Sequence, residues 1–391
     1  MPIPQTATAG GTQDTTSGQG GRRGEQQQQV ATVPFIRASQ LHREPAGIDV
    51  SRQLLTTTQD LGVFDIPAYG FLRAVVIEVS STGGVGTSIV LQEDAPYNVL
   101  NNIALTEPNG AILTAVTSGY SLYLINKYGG YRGFNDPEQS QSYSVAIGTS
   151  ANLSFLLRIP VEISTRDTVG SLPNQNSGAT FKLRLGLSAG ATVFGGTITT
   201  QPTVRVRVGM ECWDQPEPST AGAMNQVVPP AVNTTQFWTE QIYNLNTGLV
   251  TQRLSRVGNY LRNLIFVARR TAGTRAQGHT DWPDPGYVYL DTRPLDIVTR
   301  GQWLNQVYER YGYQTVAGTA TFALDSAGGL DAGVYPYDFM HEFDGVAGHE
   351  NRDLWLATLS SSRLELQGTF ANADTLTVLT NDVAVAGSVF L

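Results

Sequence analysis

Lysine is almost missing from this chain: of 25 basic residues only Lys127 and Lys182 are lysine, and the other 23 are arginine. Cysteine is scarcer still. With Cys212 alone, no intramolecular disulfide can form and nothing argues for an oxidising compartment. Met210 and Trp213 beside it predict a buried, inert thiol. Charged residues make up 15% of the 391 and the net charge is −8, whereas an average globular chain is about a quarter charged. Neither a basic total nor a basic patch is present, which argues against direct binding of nucleic acid through its phosphates. No apolar core follows Met1, so no signal peptide and no secretion are expected, and the apolar runs are strand-sized and broken by Arg or Asn.

The patterns that carry chemistry are also lacking. The four histidines are His42, His279, His341 and His349. His341-Glu342 and His349-Glu350 stand eight residues apart with Gly345 and Gly348 between, so they cannot present two imidazoles on one helix face as a zinc protease requires. Asp325, Asp331, Asp338 and Asp344 make the same stretch acidic without the ligand ladder of a calcium loop. Gly83-Gly84-Val85-Gly86 and Gly328-Gly329 read as turn tips, since no Lys-Ser/Thr follows them. Asp281 and Asp284, flanking Trp282-Pro283, read as a loop. The expectation is a protein that is not an enzyme, with no catalytic, cofactor-binding or metal-ligating residues.

What is plentiful is Gly, Thr, Ser and Asn between short apolar or alternating runs, the punctuation of an all-β chain. Pro216, Pro218, Pro229 and Pro230 mark a Pro-rich linker over 216–233 that is expected to continue neither sheet nor helix. It separates a first β-rich half, 31–215, from a second, 234–391, each of a size for one sandwich. The halves repeat. Phe71-Leu72-Arg73 opens an apolar run in the first, and Tyr260-Leu261-Arg262 opens another 189 residues later. Strands are predicted over 61–66, 71–79, 88–91, 143–147, 153–163, 181–187 and 204–211, then over 237–245, 261–268, 286–290, 319–324, 354–359, 364–370 and 376–379. Each half carries one helix. The first spans 117–128, started by Thr117/Ser118 and stopped by Gly129-Gly130; the second spans 296–311, capped by Asp296 and Gly312, with Trp303 and Tyr308 as its core anchors.

The stretch Thr117-Ser118-Gly119-Tyr120-Ser121-Leu122-Tyr123, Tyr243-Asn244-Leu245, and Leu290-Asp291-Thr292-Arg293-Pro294-Leu295-Asp296 through Trp303 resemble the major capsid proteins of tailless bacteriophages with an internal membrane, the tectivirus type. That resemblance implies two tandem eight-stranded jelly rolls with a few short helices. It further implies homotrimers of pseudo-hexagonal outline that tile an icosahedral capsid around a membrane. Partners would be the chain itself, other virion proteins such as a vertex protein, and internal lipid; the site would be the virion, after synthesis in the cytoplasm of a bacterial host. A different class, a receptor- or glycan-binding spike of two β-sandwiches, would instead use Trp282, Tyr287, Tyr335 and Tyr337 as exposed stacking platforms.

Residues 1–30, ending in GGRRGEQQQQ, lack the apolar surface that offsets the entropy of ordering, so a disordered N-terminal arm is expected. Arg22, Arg23 and Arg37 are its candidate contacts to lipid or to a neighbouring trimer. Deleting residues 1–29 should leave the oligomer mass and melting temperature unchanged while reducing shell formation or retention on anionic vesicles. A truncated protein that no longer forms its oligomer would place the arm inside the folded core instead.

Overall fold

The computed structural model describes residues 32–130, 136–216, 226–228, 230, 234–275, 281–312, 329–343 and 349–385. Sixteen of its strands form two copies of one plan. In the first half these are β1 (Leu41–Gln53), β2 (Gln59–Asp65), β3 (Phe71–Thr82), β4 (Leu100–Thr106), β5 (Ile112–Ser118), β6 (Asn152–Pro160), β7 (Lys182–Leu187) and β8 (Thr203–Trp213). In the second they are β9 (Thr234–Asn244), β10 (Gly248–Leu254), β11 (Tyr260–Arg269), β12 (Gly286–Leu290), β13 (Arg293–Val298), β14 (Val334–Asp338), β15 (Leu364–Phe370) and β16 (Thr375–Val385). The first half pairs its strands in the orders β1-β8-β3-β6 and β2-β7-β4-β5; the second pairs them as β9-β16-β11-β14 and β10-β15-β12-β13. Both are eight-stranded jelly rolls, and the fold class read from the sequence is the one observed.

The repeat legible in the sequence is structural down to a single bulge. In the β8–β3 pair the register slips so that Glu211 faces Ala74 and Cys212 faces Leu72, leaving Arg73 unopposed. In the β16–β11 pair Leu261 faces Asp382 and Asn263 faces Asn381, leaving Arg262 unopposed. A bulge aims its extra residue out of the ladder. Each freed arginine finds a buried glutamate: Arg73 pairs with Glu162, and Arg262 Nε donates to Glu350 Oε1 at 2.7 Å. Burial pushes the Glu162 carboxyl above its usual range even with Arg73 beside it.

Each roll places a helix after its fifth strand: α1 (Gly119–Tyr128) follows β5 and α2 (Arg300–Tyr311) follows β13. Ser118 caps α1 by accepting from the Tyr120 amide. The cap of α2 differs from expectation. Asp296 lies within β13, and Thr299 caps the helix in a reciprocal box with Gln302, while Gly312 ends it at φ 69°. Trp303 is 1% exposed, with Nε1 donating to the Pro336 carbonyl at 2.7 Å and its ring packed against Trp282 and Tyr337. Tyr308 is a correction: it is 49% exposed, because it follows Val307 by one residue and so is turned about 100° from it, out of the buried row of Trp303, Val307 and Tyr311.

The 216–233 stretch also departs from expectation in one respect. Gln226–Val228, which contains no proline, pairs in parallel with Thr32–Pro34. Across the middle of the molecule, Trp238 and Thr239 of β9 pair in parallel with Thr114 and Ala115 of β5, so sheets of the two rolls run on as one nine-stranded sheet. A single apolar cluster correspondingly includes Leu72, Phe155 and Leu183 of the first roll and Leu264, Phe266 and Leu379 of the second.

Replacing Trp303 by Ala should lower unfolding stability by roughly 3–5 kcal/mol through the cavity left beneath α2, whereas Tyr308→Ala in the monomer should stay within about 0.5 kcal/mol of the parent, as exposed positions do. Denaturant titration of both variants measures this; equal losses would contradict the assignment of the two faces.

Candidate functional site: the seam and the open face

Every residue of α1 is buried, because the helix lies in the seam between the rolls. A buried helix must satisfy its terminal backbone groups without water, and here the second roll does so. Asn263 Nδ2 and Tyr311 Oη donate to the Tyr128 carbonyl at 2.9 and 2.8 Å, and Arg262 Nη1 donates to the Gly129 carbonyl at 2.6 Å. The arginine also places positive charge at the helix C-terminus, where the dipole favours it. Just before the helix, the Glu240 carboxylate of β9 accepts from the Thr117 amide at 2.6 Å and from its hydroxyl at 2.7 Å.

Inside the seam, Lys127 Nζ lies 2.8 Å from Asp136 Oδ2 and 2.9 Å from Asp331 Oδ2, with all three side chains at 0% exposure. Tyr123 Oη donates to Asp331 Oδ1 at 3.1 Å and Tyr128 Oη to Asp331 Oδ2 at 2.5 Å. Burial pulls the ammonium pKa down, but the two carboxylates outweigh it and leave it raised. The same burial, with Asp331 and Asp136 beside it, holds the Tyr123 phenol well above its usual range. At the other end of the seam Arg269 and Arg275 of the second roll reach Asp94 of the first at 2.7 and 2.9 Å, and Arg275 lies 4.8 Å over the Tyr120 ring.

The outer row of β11 is buried, with Ile265 0% and Val267 2% exposed, and Asn263 in the same row reaches the Tyr128 carbonyl of α1. Its counterparts on β3, Val76 and Glu78, instead line an open cavity of about 460 Å³ on the outer face of the β1-β8-β3-β6 sheet. Leu156, Pro45 and Met210 give that cavity an apolar floor; Arg43, Arg158, Arg207 and Glu211 ring it. The charges are mutually paired, with Arg43 and Arg158 on Glu211 at 3.0 and 3.1 Å and Arg207 on Glu78. The two helices differ in the same sense. Where α1 is wholly buried, α2 exposes Gln302, Asn305, Gln306, Tyr308 and Glu309.

Of the residues singled out in the sequence, Arg22, Arg23, His279, Asp325, Asp344 and the predicted strand 319–324 lie outside the described residues. Arg37 is exposed on a four-residue helix, Phe35–Ala38. Three of the aromatic residues considered as sugar platforms are core residues: Trp282 stacks on Tyr335 at 4.1 Å and both are 1–2% exposed, and Tyr337 packs on Trp303. Tyr287 alone of the four is half-buried. Asp281 is buried on Arg270 and Asn372, Glu350 is held by Arg262, and Asp338 by Arg310 and Tyr311. Burial lowers the His341 pKa. Among the described residues no three His, Cys, Asp or Glu side chains are grouped to hold a metal ion. Cys212 is buried on β8, its thiol pushed up to about 12 by burial. The Lys127–Asp136–Asp331 cluster was missed by sequence reasoning, although the near absence of lysine marked Lys127 as unusual.

Two jelly rolls, each with a helix after its fifth strand and fused through one sheet, define the double jelly roll class. No protein-family model and no curated protein matches the chain by sequence. Solved structures do. The major capsid protein of STIV, Sulfolobus Turreted Icosahedral Virus, superposes with a TM-score of 0.59 at 15% identity, covering 88% of this chain and 97% of that one. The major capsid protein P2 of bacteriophage PM2 gives 0.52 at 10% identity, covering 90% and 99%, and the PBCV-1 virus capsid gives 0.52 at 12%, covering 88% and 94%.

Glu350→Gln should cost roughly 3–5 kcal/mol by leaving the buried Arg262 charge without its carboxylate. Replacing both Arg262 and Glu350 by Met should recover part of that loss. A Glu350→Gln variant as stable as the parent would contradict the pairing.

Proposed function

We propose that the chain is a major capsid protein whose activity is self-association into a homotrimer, which then tiles an icosahedral shell. The observation that carries this reading is that the molecule holds two unpaired halves of a contact it already makes once. Within the chain, α1 of the first roll meets the outer row of β11 through Arg262 and Asn263, and that row is buried. The equivalent outer face of the first roll, floored by Val76 and Leu156, is open, and the equivalent helix, α2, is half exposed. A second copy that seats its α2 side on that face repeats the seam between chains. Such a head-to-tail contact either closes a ring or runs on as a filament. Three two-roll chains close into six rolls of near-hexagonal outline, the shape that tiles a shell, and the fold's likeness to viral capsid proteins supports this reading over the glycan-binding one.

The finer parts of the proposal are an internal membrane met by the arm through Arg22, Arg23 and Arg37, a vertex protein as a further partner, and residence in the virion after synthesis in the host cytoplasm.

Light scattering of the purified protein should give three times the 42.1 kDa chain mass. Leu156→Glu and Tyr308→Glu, each placing charge in the shared contact, should give folded monomers. A parent protein that stays monomeric at all concentrations would overturn the proposal; trimeric Leu156→Glu and Tyr308→Glu variants would move the contact elsewhere.

A further inference from the structure

The seam uses arginine wherever charge alone is needed: Arg262 on Glu350, Arg269 and Arg275 on Asp94. At another fully buried point it uses Lys127, one of only two lysines in 391 residues. Arginine stays charged in proteins, whereas a lysine amine can give up its proton and attack a carbonyl carbon. The surroundings of Lys127 suit that attack. Its Nζ touches two carboxylates in a site with no exposed side chain, so an oxygen expelled there as water meets no bulk solvent to reverse the step at once. Asp331 has one phenol donor on each oxygen, Tyr123 on Oδ1 at 3.1 Å and Tyr128 on Oδ2 at 2.5 Å, so that Tyr123 is placed to stabilise charge that develops on Oδ1 as the carbonyl oxygen. Asp136 Oδ1 accepts from the Glu138 amide at 2.9 Å, and its Oδ2 lies at Nζ.

We propose that Lys127 and Asp331 condense into an intramolecular isopeptide bond that covalently joins α1 of the first roll to the second roll. The ion pair holds the reactants together. Asp136 takes one proton from the Lys127 ammonium, and the freed Nζ lone pair attacks Asp331 Cγ to form the C–N bond. The negative charge that stays on Asp331 Oδ1 is met by the Tyr123 hydroxyl, while the Tyr128 hydroxyl holds Oδ2 until it is protonated. Nζ then gives up a second proton, the other Asp331 oxygen receives the two protons released, and its C–O bond breaks with departure of one water. The ammonium and carboxylate become a neutral amide and water, with no oxidant, reductant or cofactor consumed. Fixed groups in such contact react with effective molarities on the order of 10⁵–10⁸ M, which favours condensation that free amines and acids do not undergo in water. The bond would tie residues 204 positions apart and prevent the rolls from separating even when the packing between them is lost.

Intact-mass spectrometry of the full-length folded protein tests this, followed by tryptic digestion and fragment sequencing. The expected result is a chain lighter than its sequence by one water, with one branched peptide linking Lys127 to Asp331. Lys127→Arg and Asp331→Ala should each show the full sequence mass, and Asp136→Asn should slow or abolish the loss of water; circular dichroism checks that each variant is folded. The folded parent protein decides the matter even if every variant misfolds. A parent at its full sequence mass, or one whose water loss maps away from Lys127, overturns the proposal, and a branch at Asp136 overturns the choice of Asp331. A folded Asp136→Asn variant that cross-links at the parent rate removes Asp136 from the mechanism. The readout is the mass of the chain and not of the oligomer, so it stands or falls independently of trimer formation.

Discussion

A helix buried along its whole length is a constraint on everything around it. The α1 segment carries Asn126, Lys127 and three tyrosines into a fully buried site, and each polar group there must meet a partner or cost stability. The first roll meets part of the demand itself: Asn126 Nδ2 donates to the Arg158 carbonyl, and its Oδ1 accepts from the Arg158 amide. Asp136, also of the first roll, pairs with Lys127, and the second roll adds Asn263, Tyr311 and Arg262 at the helix C-terminus, Asp331 beside Lys127 and Glu240 at Thr117. The two rolls are therefore not independent modules on a tether. The polar contents of one are satisfied by the other, and the order β1-β8-β3-β6 is mirrored by β9-β16-β11-β14 because both sheets descend from the same plan but only one is covered within the chain.

That asymmetry is what the proposed assembly would use. A sheet face with paired charges around an apolar floor can stand in water, as Arg207 with Glu78 and Arg43 with Glu211 allow, and yet offer area to a second copy. The counterpart face in the second roll, where Ile265 and Val267 replace Val76 and Glu78, is apolar because it is never uncovered. Surface ion pairs of this kind contribute little to the stability of the monomer; in the proposed assembly they would keep the open face soluble and set its register.

Much of the architecture was legible. The 189-residue repeat pointed to two strands that prove equivalent to the bulge, and Gly286–Leu290 and Leu364–Phe370 were read with their observed bounds. The strands that escaped did so for identifiable reasons. Pro45 and Pro294 sit at register shifts of β1 and β13, and Pro336 sits on β14 at the sheet edge, the places where a strand tolerates a residue without an amide donor. β1 is polar because it is mostly exposed, so its alternation is faint. Asp296 looked like a cap only because β13 was taken for the start of the helix. The Lys127 cluster was not legible at all, since Asp136 and Asp331 lie on separate loops and only the fold brings them to one nitrogen.

The claim on which the account rests is that the open sheet face of the first roll is covered, in the assembled protein, by the α2 side of another copy. Electron cryomicroscopy of the purified oligomer measures this directly. The account predicts a ring of six similar lobes in which density for α2 of one chain, Tyr308 included, lies against Val76, Leu156 and Glu211 of the next. An oligomer that leaves this face open to solvent, or closes it by pairing two identical faces about a twofold axis, would contradict it.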